Sequence, residues 1–267
     1  MDLIRNNKPI GIFDSGLGGL SVLQHIYQLL PQENILYVAD SGYAPYGCKD
    51  VQFVEQRSRI ITEHLLEQGV KVIVIACNTA TASIIETFRA QYGIPFVGVE
   101  PGIKPAIQLS RNGNIGVMAT TGTLSSTRYE ALSQRFGHSV NVYNQPCPGL
   151  ADQVEEGRLD TPATVALLKD YIEPLLAKQV DTIVLGCTHY SFLSTLIRQV
   201  AGDDITLVDT SLAVAEQLAR VLQHGGIENQ TSQQMISYYT TGSIIETREA
   251  ILRLLGREVL VSALTAD

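Results

Sequence analysis

Apolar, largely β-branched residues gather in short runs along the chain: Ile10–Phe13, Ile35–Val38, Val72–Ile75, Phe96–Val99, Ile115–Met118, Val140–Tyr143, Ile183–Leu185 and Thr206–Val208. Each run has the length of a strand, and unbroken apolar runs of that length suit strands covered on both faces. Between them apolar residues recur at helical spacing, as at Leu20, Leu23, Ile26, Tyr27 and Leu30, at Val54, Ile61, Leu65 and Leu66, and at Val165, Leu168, Ile172 and Leu175. Gly69 stands where a C-cap glycine would stop the second of these helices. The alternation predicts βαβ units and a parallel sheet.

Comparison of the chain with itself sharpens this picture. Ile10-Gly11-Ile12-Phe13-Asp14-Ser15 matches Ile115-Gly116-Val117-Met118-Ala119-Thr120 at an offset of about 105 residues. Val72 to Thr79 matches Thr182 to His189 at an offset of 110. Weaker pairs keep the same order, which points to duplicated halves. The last 60 or so residues carry a strand-like Met235–Thr240 and a helical Ile244–Leu255, and they are expected to return to the first half. The fold class is therefore α/β, with two pseudo-symmetric parallel-sheet domains and the active site in the cleft between them. The expected boundaries are 1–98 plus 209–267 for the first domain and 99–208 for the second.

A chain of 267 residues can bury two such cores, and 45% hydrophobic with 17% charged residues is ordinary globular composition. Nineteen Lys and Arg against 27 Asp and Glu give a net charge of −8 without any basic run, so nucleic acid is not an expected partner. The N-terminus has no apolar signal core and no run is long enough to span a bilayer, so the reading is a cytoplasmic protein with no membrane partner. Cys48, Cys77, Cys147 and Cys187 form no CxxC pair and lack zinc spacing, so they are expected as free thiols with no metal site.

Cys77 and Cys187 occupy equivalent places in the two halves, each at the end of a strand and before a helix. Open α/β sheets bind ligands at that edge, and helix N-termini favour a thiolate. Two thiols facing across a cleft could take a proton from one face of a carbon and return one to the other, which inverts a stereocentre. The developing charge needs fixed donors. Asn78, Thr79, Thr120, Thr121, Thr123 and Thr188 offer a neutral set suited to carboxylates, with N-capping by Thr79 and Thr123 as the alternative. Asp14, at the end of the first strand before Ser15-Gly16-Leu17-Gly18-Gly19, suits an ammonium group or a neighbouring thiol, or else a helix N-cap. The glycine-rich turn lacks both phosphate-loop patterns. His189, two residues beyond Cys187, could orient or assist it.

The loop Asp40-Ser41-Gly42-Tyr43-Ala44-Pro45-Tyr46-Gly47 has enough Gly and Pro to be fixed, and its amides could grip a second carboxylate. Cys48 and Cys147 read as incidental and packed residues. Glu155 and Glu156 read first as a solvated helix face.

The segments Gly11 to Gly19, Pro45-Tyr46-Gly47, Ala76 to Thr79 and Gly186 to Tyr190 together resemble the glutamate racemases of the aspartate/glutamate racemase superfamily. The likeness spans nearly the whole chain and implies cofactor-independent interconversion of L- and D-glutamate, supplying D-glutamate for peptidoglycan. It implies that Cys77 faces the α-proton of the D-enantiomer and Cys187 that of the L-enantiomer, assisted by Asp14 and His189 respectively. Substrate contacts would come from Asp14-Ser15, Tyr46-Gly47, Asn78-Thr79 and Thr188-His189, while Glu155 matches an acidic family position near the site. Ser191 departs from a proline common in the family. The short segment before Pro9 leaves no expectation of an extended activator-binding segment. No pyridoxal phosphate or other cofactor is expected, and the expected assembly is a homodimer. Two other readings stay open: a racemase for aspartate or another amino acid, and a non-catalytic two-lobed amino-acid binder.

Overall fold

Among the described residues, six parallel strands build the first sheet and four the second. The structure is a computed structural model describing residues 7–136, 140–229 and 234–264, so residues 1–6 of the N-terminal segment discussed above fall outside it. The first sheet contains β1 (Ile10–Asp14), β2 (Ile35–Ala39), β3 (Val72–Ile75) and β4 (Phe96–Gly98). The second contains β5 (Asn114–Ala119), β6 (Asn141–Pro146), β7 (Thr182–Gly186) and β8 (Thr206–Val208). Two late strands, β9 (Ile236–Thr240) and β10 (Val261–Ala263), join the first sheet beside β2, giving the order β10-β9-β2-β1-β3-β4. The second sheet runs β6-β5-β7-β8, so the core order β2-β1-β3-β4 is repeated strand for strand.

The connecting helices are α1 (Leu20–Leu29), α2 (Val51–Glu67), α3 (Asn78–Gln91) and α4 (Ile103–Leu109) in the first stretch. They continue as α5 (Thr121–Leu124), α6 (Thr127–Phe136), α7 (Leu150–Glu155), α8 (Pro162–Ala177) and α9 (Ser194–Ala201), and end with α10 (Ser211–Gly225) and α11 (Ile244–Leu255). Successive strand residues point to opposite faces, and both faces are covered. Ile10, Ile12, Val72 and Val74 pack with α1 and α10 through Leu23, Ile26, Leu218 and Leu222. Phe13, Ile73 and Ile75 pack on the other side with Val54, Ile61, Ile84 and Phe88 from α2 and α3. Truncating a buried ring such as Phe88 to Ala would cost about 3–5 kcal/mol.

Strand register sets the site. Phe13 pairs with Ile75, which brings the Asp14-Ser15 corner level with Ala76-Cys77. Ala119 pairs with Gly186, which does the same for Thr120 and Cys187. Gly69, at φ +72°, follows the end of α2 as its sequence position suggests. The alternative reading of Thr79 and Thr123 as N-caps does not hold. Cys77 caps α3 and Thr120 caps α5, each accepting from the amide three residues on, because those residues hold the extended backbone just before the first turn.

Candidate active site

Cys77 is 5% exposed at the carboxyl end of β3, and its Sγ accepts the Ala80 amide at 3.5 Å. Ser15 Oγ lies 3.6 Å from that sulfur and 3.5 Å from Asp14 Oδ1, so serine stands between thiol and carboxyl. Asp14 is fully buried, and its Oδ2 accepts the Gly19 amide at 2.8 Å. Burial raises the Asp14 pKa above the usual carboxylate value, opposed by the charge of His189 and by the Gly19 amide. Burial also pushes the Cys77 thiol well up, with the Asp14 charge adding to it and the Ala80 amide working against it.

Cys187, 7% exposed, ends β7 and faces His189 Nδ1 at 3.7 Å. The other ring nitrogen, Nε2, lies 2.6 Å from Glu155 Oε1. Desolvation alone would lower the His189 pKa, but the hydrogen bonds and charges of Cys187 and Glu155 outweigh it and hold it well above 6.5. A ring protonated at both nitrogens would donate to both neighbours. The Gly18 amide also points at Nε2, at 3.2 Å, beside the shorter contact with the Glu155 carboxylate. Cys187, His189 and Glu155 form a line, a geometry that stabilises a thiolate and steers its proton.

Neutral donors stand beside the same strand ends. Thr79 Oγ1 lies 2.9 Å from Thr120 Oγ1 and 3.2 Å from Thr123 Oγ1, joining the two halves. Gly47 packs so tightly on Thr120 that a Cβ there would come within 2.6 Å of it. Asn78 is buried, and its Nδ2 finds no partner among the described residues, which leaves an amide donor free for a ligand. Thr188 is buried beside His189, and its carbonyl accepts from Ser21 Oγ at 3.2 Å.

Other candidates stand apart. Thr121 is exposed at the start of α5. Asp40 is fully buried and spoken for: it takes a two-pronged ion pair from Arg57 at 2.9 and 3.1 Å, a bond from Thr241 at 2.8 Å and one from the Tyr46 hydroxyl. It and the Tyr46 side chain therefore anchor the loop and leave its backbone, through Gly47, to face the site. Pro45 is half-buried beyond a cis peptide bond. Ser41 lines a cavity of about 590 Å³ with Leu17, Glu155 and residues of α11. Cys48 is exposed, and Cys147 is packed in the second core.

Glu155 overturns its reading as part of a solvated face. Its Oε1 accepts the Leu17 amide at 2.6 Å as well as binding His189. The glycines explain the approach: a Cβ on Gly16 would overlap the Glu155 carboxylate, and one on Gly18 the imidazole. The Leu17 amide was missed because a backbone donor leaves no residue-type signal; the glycine run itself was the available clue. Among the described residues no group of three or more His, Cys, Asp and Glu side chains is placed to hold a metal ion. No helix there is long and apolar enough to cross a membrane.

The family model for Asp/Glu/Hydantoin racemases matches residues 10–218, a span holding both cysteines and their neighbours. The chain belongs to the Asp/Glu/Hydantoin racemase family. A glutamate racemase of Ectopseudomonas mendocina is 49% identical over 96% of this chain and 98% of the relative. One of Methylococcus capsulatus is 51% identical over 83% and 82% respectively. Among solved structures, glutamate racemase isoform RacE1 of Bacillus anthracis matches with a TM-score of 0.89 at 34% identity, covering 97% of this chain and 98% of that one. The glutamate racemase of Francisella tularensis in complex with D-glutamate matches at 0.86 and 30% identity, covering 98% and 99%. This member of the racemase family is an amino-acid racemase, an isomerase with two parallel-sheet α/β domains.

Proposed function

We propose that the protein interconverts L- and D-glutamate without a cofactor by a two-base mechanism. The observation that carries this is the placement of Cys77 and Cys187 at equivalent strand ends of the two halves, each with its own assistant: Ser15 and Asp14 for one, His189 and Glu155 for the other. A non-catalytic binder needs neither thiol.

The α-carbon of an amino acid is a weak acid, so its proton must meet a strong base in a dry, positioned site. With L-glutamate, Cys187 as thiolate takes the α-proton while the His189 imidazolium holds the charge. Cys77, kept as a thiol by burial, gives its proton to the opposite face of the planar carbanion, forming a new C–H bond and leaving a thiolate at Cys77. D-glutamate runs the same steps backwards. Asn78 Nδ2, the Thr79, Thr120 and Thr123 hydroxyls and the amides near Ser15 and Thr188 hold the two carboxylates, with the Tyr46-Gly47 backbone at the distal one. Asp14 receives the ammonium group or tunes Cys77.

Support for glutamate over aspartate comes from the relatives, both named glutamate racemases. A polar set spaced for the longer acid leaves groups unpaired around the shorter one. The reading includes domains at 1–98 plus 209–267 and 99–208, a cytoplasmic homodimer, and a product destined for peptidoglycan. Circular dichroism of purified protein with L-glutamate and L-aspartate, after dialysis against chelator and without pyridoxal phosphate, tests it. Sustained loss of the glutamate signal is expected, and faster turnover of aspartate would overturn the substrate assignment.

A further inference from the structure

Tyr37 lies in the middle of β2, fully buried, and has no part in the scheme above. Its hydroxyl donates to the carbonyl oxygen of Gly16 at 3.1 Å. The amide nitrogen bonded to that carbonyl carbon belongs to Leu17, and it donates to Glu155 Oε1 at 2.6 Å. The same oxygen meets His189 Nε2 at 2.6 Å, and Nδ1 faces Cys187 Sγ at 3.7 Å. A single peptide group thus connects a phenol in the first sheet to a carboxylate in the second half. A donor on the carbonyl side of a peptide polarises it and strengthens donation from its N–H.

The turn is closely packed against its neighbours. Beyond the close fits of Gly16 and Gly18, a Cβ on Gly19 would stand 2.7 Å from Asp14 Cβ and 3.0 Å from the Tyr37 hydroxyl. Tyr37 is the floor on which the turn rests, and the Gly19 amide hands the same rigidity to Asp14.

We infer that Tyr37 is a positioning residue for proton transfer at Cys187, acting through the Gly16–Leu17 peptide on Glu155 and His189. This rests on the two-cysteine reading above. Phenylalanine separates a chemical role from packing, since it keeps the ring and its tilted contact with Tyr238 at 6.1 Å while removing the donor.

The test is Y37F, with Y238F as the control. Y37F is expected to lower kcat/KM for glutamate roughly 3- to 10-fold, the ratio expected for one net hydrogen bond. It should also move a limb of the pH profile, because the weakened Leu17 donor shares Glu155 Oε1 with His189. Iodoacetamide labelling of Cys187, read by peptide mass spectrometry, should slow relative to Cys77 in the same molecules. Y238F should change none of these. A fluorotyrosine placed at position 37, a stronger donor, should move the Cys187 to Cys77 labelling ratio the opposite way, and it keeps the test available should Y37F fold poorly. Wild-type behaviour of Y37F would overturn the inference. So would a loss of activity with an unmoved pH limb and both thiols slowed alike, which is packing alone. If the wild-type protein does not racemise glutamate the functional reading falls, while the labelling ratio still decides the link from Tyr37 to Cys187.

Discussion

The backbone nitrogen of Gly18 lies 3.2 Å from His189 Nε2, and a methyl group on its Cα would overlap the imidazole. One glycine from the first half therefore fixes how near the histidine of the second half can come. Gly18→Ala should push the ring off its line between Glu155 and Cys187. A displacement near 1 Å at such a site costs on the order of 100-fold in kcat/KM. Steady-state racemisation checks it, with far-UV circular dichroism to confirm that the fold survives.

Glu155→Gln removes the charge that helps hold the His189 pKa well above 6.5. The imidazolium should then lose its proton at lower pH, and the basic limb of kcat/KM should shift down. A histidine whose folded pKa is raised contributes stability that is complete below 6.5 and is lost as pH rises through the folded value. Thermal melts of the wild type and of E155Q from pH 6.5 upward should therefore converge as the imidazolium deprotonates.

Much of this arrangement was legible in the chain, and the reasons for the rest are physical. Strands β1, β2, β3 and β7 read clearly because both faces are buried, which leaves unbroken apolar runs. Strand β10 carries only Val261-Ser262-Ala263, partly exposed at the sheet edge, too short for any periodicity. Cys77 and Cys187 stood out through duplication. Glu155 did not, since its partners Leu17 and His189 lie 138 and 34 residues away and a helix-end glutamate ordinarily faces water. The anchoring role of Asp40 was not legible because its binder, Arg57, sits on α2, beyond the loop.

Replacing either site cysteine by serine substitutes a hydroxyl far too weak as an acid for the work. Cys77→Ser and Cys187→Ser should each lose on the order of 10²–10⁴-fold in racemisation, the range for a general acid or base. Cys48→Ser, at an exposed position, should be silent, and Cys147→Ser should keep activity. In the wild type, iodoacetamide should label Cys187 ahead of Cys77, because the His189 ring stands beside the first and burial pushes the thiol of the second up. Mass spectrometry of the labelled peptides reads the order.

Arg57 and Asp40 are 7% and 0% exposed at the side chain. Arg57→Ala leaves the carboxylate buried without its cation, which should cost about 3–5 kcal/mol. Denaturant unfolding measures the loss. The KM for glutamate should rise as well, since Asp40 also holds the Tyr46 hydroxyl and with it the Tyr46-Gly47 turn.

The central claim, that one cysteine removes the proton and the other returns a different one, is tested most directly by racemising L-glutamate in deuterium oxide and isolating both enantiomers at low conversion. Two bases predict D-glutamate carrying solvent deuterium at the α-carbon while the remaining L-glutamate stays unlabelled. D-glutamate that keeps the original hydrogen, or deuterium entering both enantiomers equally from the start, would contradict it.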